Sequence, residues 1–296
     1  MGGGHEIMTG TVLIPLDGSP LSEKVLGPAR PLIDALEANV VLLRAVPTRG
    51  AAPDVEAEAE EAGATMQRLQ ERLTREGVHC QARVARGDPA EQILAFARAL
   101  RPDYLAMATH GRGGVSRLVR GSTAERVVRS AHVPVLLCNP LVLDGSPAAP
   151  RPFQRILVPL DGSPLSAGIL PHVARLANIY GSEVLLLRVE PYHYPPEPSL
   201  LGDQSWEPAA VEATLDEPRR TLELSGVPTT VMAAHGVIAV EILRAARDCD
   251  LVAMSTHGRG GASRWWFGSV AEQVTRHCTK PMLVLRPPGA GQDEEE

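Results

Sequence analysis

Residues 12–22 read VLIPLDGSPLS and residues 156–166 read ILVPLDGSPLS, with nine of eleven positions identical at an offset of 144. In both, a short apolar run ends at a Pro. An Asp-Gly-Ser-Pro turn then opens a helix, with Ser19 or Ser163 as N-cap and Pro20 or Pro164 in the first turn. A second block repeats in the same order: 109–127, THGRGGVSRLVRGSTAERV, matches 256–274, THGRGGASRWWFGSVAEQV, at 13 of 19 positions and an offset of 147. Two long matches in one order mean duplication. The period is far above that of solenoid repeats, so each copy is a whole domain with its own core. The reading divides the chain into domain one, 1–140, a Pro-, Gly- and Ala-rich linker, 141–152, and domain two, 153–296. The last ends in a frayed, disordered acidic tail, Asp293 to Glu296.

Working outward from the repeats, copy one reads as the strand TVLIPL, a helix from Ser19 through Leu36, and the strand VVLLRAV. A helix over 54–75, a strand near VHCQARVA, and a helix capped by Asp88 and Pro89 follow. The strand DYLAMAT, a Gly-rich loop, a helix from Gly121 to Arg129 and the strand VPVLLC close the unit. Copy two repeats the order with ILVPL, 164–179, EVLLLRV, 208–224, PTTVMAA, 238–247, DLVAMST, a helix from Gly268 and PMLVLR. Alternation of this kind predicts an α/β fold: two tandem Rossmann-like domains, each an open parallel sheet with helices on both faces and right-handed crossovers.

Composition agrees with that class. Of 296 residues 44% are hydrophobic but only 3% aromatic, so the cores are built from Val, Leu, Ile and Ala, as in a sheet buried on both faces. The formal charge is -6, and setting aside the acidic tail leaves both halves near neutral, which gives no support to a phosphate-backbone binder. Cys80, Cys138, Cys249 and Cys278 form no CxxC pair and read as buried thiols. There is no membrane-length apolar run and no signal-peptide pattern at the start, so the expected location is the cytoplasm.

In open α/β sheets, ligands sit beyond the carboxyl ends of strands where strand order reverses. Both repeated blocks fall at such ends. The loops offer Gly111, Gly114, Gly121 and Ser122 in copy one, and Gly258, Gly261, Gly268 and Ser269 in copy two. These suit close backbone approach and anion binding at a helix start. There is no Walker Lys and no GxGxxG. Asp17 and Asp161 stand one residue too early to cap the helix, which leaves a ligand role open beside a plain turn. His110 and His257 either donate to a phosphate or structure the loop; Arg112, Arg117, Arg259 and Arg264 either bind phosphate or are simply exposed. Trp265, Trp266 and Phe267 replace Leu118, Val119 and Arg120, and the segment 192–206 is longer and more aromatic than its counterpart, so copy two is the decorated one. No nucleophile elbow, HExxH or repeated triad is present.

A strand ending in PLDGSPLS, a THGRGG loop, nine residues between Gly111 and a Gly-Ser pair, and a closing helix and strand resemble the universal stress protein family, over nearly the whole of both copies. The resemblance implies a five-stranded sheet in the order 3-2-1-4-5 and pairing of domains through their last strands, within the chain or with a second chain. It also implies ATP, with Mg²⁺, in the family's ATP-binding branch. That branch's Gly, two residues, Gly, nine residues, Gly, Ser/Thr pattern is kept here except at its first Gly, which is Ala108 or Ser255. By the same similarity Pro15, Asp17, Pro159 and Asp161 lie at the adenine or ribose, Ala45 and Val189 line the adenine pocket, and Met107 and Met254 flank the sugar. Phosphates fall to the loop residues above and to Thr123 and Val270. Three functions follow: an ATP-binding stress or signalling protein holding up to two nucleotides; a slow ATPase using His110 or His257; and a nucleotide-free interaction module in which Ala108 and Ser255 have closed the sites.

Overall fold

The computed structural model describes residues 10–48, 55–109, 121–145, 152–192, 206–256 and 268–287. The chain divides into two compact units, Met1–Pro152 and Phe153–Glu296. The first contains β1 (Thr11–Pro15), α1 (Pro20–Glu23), α2 (Leu26–Ala35), β2 (Asn39–Val46), α3 (Val55–Arg75), β3 (Cys80–Arg86), α4 (Pro89–Leu100), β4 (Tyr104–Ala108), α5 (Ser122–Ser130), β5 (Val135–Cys138) and α6 (Pro140–Gly145). All strands are parallel, in the order β3-β2-β1-β4-β5. The central strands are buried on both faces, with Val12, Leu13, Ile14, Leu42, Leu43, Leu105 and Ala106 fully inside, which is why they read as unbroken apolar runs.

The second unit repeats the plan: β6 (Arg155–Pro159), α7 (Pro164–Ala167), α8 (Leu170–Tyr180), β7 (Glu183–Glu190), α9 (Pro208–Ala213), α10 (Asp216–Leu224), β8 (Thr229–His235), α11 (Ile238–Ala245), a 3₁₀ turn (Ala246–Asp248), β9 (Leu251–Ser255), α12 (Ser269–His277) and β10 (Met282–Leu285). Its parallel order is β8-β7-β6-β9-β10.

Three expected helices are each two pieces: α1 and α2, α7 and α8, α9 and α10. One cause accounts for all three. Pro28, Pro171 and Pro218 lack the N–H that would bond to Lys24, Ala167 and Thr214, the carbonyls four residues back at each join. A short helix, α6, also forms where the sequence reads as linker. Asn139 caps it, accepting the Val142 N–H on Oδ1 at 3.0 Å, and Val142 and Leu143 are buried. Of the cysteines, Cys138, Cys249 and Cys278 are buried as expected, but Cys80 is only partly so; burial pushes the Cys80 thiol up to about 11.

Asp88 takes the N-cap position of α4, accepting the Glu91 N–H at 3.0 Å, and its two oxygens also lie 2.8 Å from the Arg126 Nη1 of α5. Burial pushes this carboxyl up, but the Glu91 N–H and the Arg126 guanidinium outweigh it and hold it below the usual carboxylate range. Because the pair is partly exposed, the cap outweighs the ion pair. Asp88→Ala is therefore expected to destabilise the first unit by about 1 kcal/mol at neutral pH. A group whose folded value is lowered contributes above its unfolded value and loses that contribution as pH falls through the folded one. The gap between wild type and variant is thus full above about pH 4 and closes below it, as urea denaturation across pH would read.

Candidate functional site

In each unit the strand order reverses between the first and fourth strands, β1 and β4 or β6 and β9, and the chain leaves those strands toward opposite sides. Asp17 and Thr109 follow β1 and β4; Asp161 and Thr256 follow β6 and β9. Two backbone bonds set the mouth of the Gly-rich loop. The Thr109 N–H donates to the Cys138 carbonyl at 3.0 Å, and the Gly121 N–H donates back to the Thr109 carbonyl at 2.9 Å. In copy two, Thr256 donates to Leu285 at 2.9 Å and Gly268 to Thr256 at 3.0 Å. The start of α5 or α12 is thereby fastened beside the end of β4 or β9.

The two loop helices open on a glycine, where three other helices open on a capping side chain. Ser19, Asp88 and Ser163 each cap their own helix through a side-chain oxygen. α5 and α12 open on Gly121 and Gly268, and no side chain caps either. Among the described residues no side chain takes their first-turn N–H groups; Ser122 and Ser269 are exposed there and Thr123 and Val270 half-buried. Among the described residues nothing demands a glycine at 268: its φ of -52° suits any residue, and an added Cβ would meet the Thr256 carbonyl at 3.5 Å. A glycine at a helix start lets another group approach the backbone closely.

The Asp-Gly-Ser-Pro turn is built identically in both copies. Asp17 Oδ1 accepts from Ser19 N–H at 2.9 Å and Ser19 Oγ at 2.6 Å, and Asp161 receives Ser163 at the same distances. Gly18 and Gly162, at φ 76° and 78°, supply the left-handed step. The Asp side chain thus organises the turn, a role the sequence left open beside ligand binding, while remaining partly exposed. Pro15 and Pro159 are buried last residues of their strands, and Ala45, Val189, Met107 and Met254 are buried near the carboxyl ends of theirs. Ala108 is half-buried at the end of β4. Ser255 turns away into the protein, its Oγ 3.3 Å from the Ser166 carbonyl of α7, so the hydroxyl replacing the motif's first Gly is occupied within the domain. His110, Gly111, Arg112, Gly114, Arg117, His257, Gly258, Arg259, Gly261, Arg264 and the Trp265–Phe267 run lie outside the described residues.

The sequence reading passed over Arg44 and Arg188, one residue before Ala45 and Val189. They are 5% and 7% exposed inside otherwise apolar strands. Arg44 pairs with Glu58 at 3.7 Å. Arg188 places Nη1 3.5 Å from the carbonyl of Leu160, the residue before Asp161, and Nη2 4.0 Å from Glu190. Their signal was the repeated Arg in VVLLRAV and EVLLLRV, since a buried charge is rarely idle. In copy two, Trp206 stacks on His235 (4.9 Å between centroids, 8° between planes), with Tyr192 edge-on at 4.5 Å. The two ends of the longer aromatic segment thus meet at the carboxyl end of β8. Among the described residues no cluster of His, Cys, Asp or Glu fits a metal, and no helix is long and apolar enough to cross a membrane.

A family model described as the universal stress protein family matches residues 8–139 and again 152–286. A universal stress protein of Methanocaldococcus jannaschii is 30% identical over 144 residues, covering 46% of this chain and 84% of that one. One of Mycobacterium tuberculosis is 30% identical over 200 residues, covering 62% of this chain and 59% of its own length. Among solved structures, a universal stress protein of Archaeoglobus fulgidus aligns over 93% of this chain and 98% of its own with a TM-score of 0.73. Its 20% identity makes this a likeness of fold.

Two outcomes test the geometry of the turn and the cap. Gly268→Ala is expected to lower stability by no more than about 1 kcal/mol, the cost of Ala at an N-cap, because its Cβ finds ordinary contact. Asp161→Ala removes two hydrogen bonds from the turn and is expected to cost about 1–3 kcal/mol. Thermal melting of both variants reads the contrast.

Proposed function

Because the chain belongs to the universal stress protein family, with two copies of its domain in tandem, we propose that it is a cytoplasmic stress or signalling protein that binds ATP in both copies. The observation that carries this reading is the pair of uncapped helix starts at the switch points, each opening on a glycine, with room beside Gly268 for a ligand rather than a side chain. In this reading the N–H groups and hydroxyls at Ser122 and Thr123, and at Ser269, hold the phosphates. The carboxylates of Asp17 and Asp161 receive ribose or adenine donors, and Ala45 and Val189 lie against the base. A single charge at a helix start is worth about 0.3–1 kcal/mol, so affinity depends on several N–H donors acting together rather than on the helix dipole. Mg²⁺ would be carried by the phosphates, since Mg²⁺ commonly pairs few protein ligands with substrate oxygens.

Denaturing freshly purified protein and quantifying the released nucleotide, before and after incubation with ATP and Mg²⁺, tests the reading. About two ATP per chain is the expected result if both cradles are filled. Gly121→Ala combined with Gly268→Ala is expected to abolish binding by calorimetry while the melting curve stays close to wild type. Undiminished affinity in that folded double variant would overturn the assignment.

A further inference from the structure

The two sheets end in equivalent strands that differ at the middle of their free edges. In β3 the bonds Val40 N–H to His79 carbonyl and Gly87 N–H to Val46 carbonyl turn the odd-numbered residues toward β2, so the even-numbered ones present their N–H and C=O to the outside. Ala82 is one of these, and both of its groups are met by side chains. Its N–H donates to Gln70 Oε1 of α3 at 2.7 Å, and its carbonyl accepts from Arg83 Nη1 at 2.9 Å. Arg83 is steadied by Gln81, 2.8 Å away. The middle of this edge is thus closed at Ala82, and the strand carries two arginines.

In β8 the bonds Val184 N–H to Pro228 carbonyl and Gly236 N–H to Glu190 carbonyl turn the even-numbered residues toward β7. Thr229, Val231, Ala233 and His235 therefore point their backbone groups outward. The helix-to-strand turns superpose by sequence, Val78 N–H to Leu73 carbonyl matching Val227 N–H to Leu222 carbonyl. Gln70 thus corresponds to Arg219 and Arg83 to Met232. Arginine cannot accept a hydrogen bond and methionine offers no N–H, so the closing pair of copy one is lost. Among the described residues nothing bonds the backbone N–H or C=O of Val231. The strand keeps regular register over seven residues, with no bulge, Pro, Asp, Glu, Lys or Arg within it. These are the devices by which proteins protect edges.

We propose that the free edge of β8 is an interface for a second copy of this chain, the two β8 strands pairing antiparallel about a two-fold axis. Centred on Met232, that pairing sets Val231 opposite Ala233 and Thr229 opposite His235. All four outward-facing residues of each strand exchange bonds with the partner. The absence of charge selects this occupant, since a strand lying against its own copy meets no like-charge repulsion, whereas β3 would set arginines against arginines.

Transplanting the closing pair tests the proposal on the full chain. Wild type is expected to sediment as a dimer at micromolar concentration, and Arg219→Gln with Met232→Arg as a monomer with an unchanged melting curve. Val231→Pro, which removes an outward donor and leaves the bonds to β7 intact, gives the same loss should the transplant fold poorly. A dimer that persists in both folded variants overturns the proposal, as does a monomeric wild type, including one that instead takes up an extended peptide along this edge.

Discussion

One backbone hydrogen bond in each copy, from Gly121 to Thr109 and from Gly268 to Thr256, holds together everything the candidate site needs. The loop between those residues begins at the end of a buried strand and ends at the start of a helix, and the bond brings the two ends into contact. With it, the first-turn N–H groups of a helix start lie beside the point where strand order reverses and next to the strand that leads into the Asp turn. The parallel sheet supplies the rest: its central strands are buried on both faces, so the positions of their carboxyl ends are set by core packing rather than by the loops.

Much of this was legible because the duplication prints the same local chemistry twice. The alternation of strands and helices, the Ser and Asp caps and the loop helices follow from periodicity and capping rules acting on nearby residues, while the strand order was implied by the family resemblance. Other features depended on distant partners or on backbone bonds that a pattern does not display. The helix joins needed a count of four residues back from Pro28, Pro171 and Pro218. The place of Asp17 and Asp161 before the N-cap left a turn role and a ligand role open, and the pair of hydrogen bonds that Oδ1 of each accepts from the following Ser shows the turn role. Arg44 and Arg188 sit inside strands that read as near-continuously apolar, and α6 formed in a stretch whose Pro, Gly and Ala content reads as linker.

The copies have also diverged in what reinforces them. Copy one has Asp88 as cap, tied to Arg126; copy two has Val237, 58% exposed, in the equivalent place, with no side-chain cap. Ser255 has meanwhile gained a contact with Ser166 that Ala108 cannot make. The frame of the crevice is kept while the supports around it change, as expected if the site constrains its backbone donors more tightly than the helices behind it.

The stack of Trp206 on His235 gives this asymmetry an optical side. All three tryptophans of the chain, Trp206, Trp265 and Trp266, belong to the second copy, and Trp206 lies ring on ring with an imidazole beside Tyr192. Intrinsic tryptophan emission is therefore a reporter on one half of a duplicated molecule, leaving the first copy silent in that signal, so that events in two similarly folded domains can be told apart without adding a label.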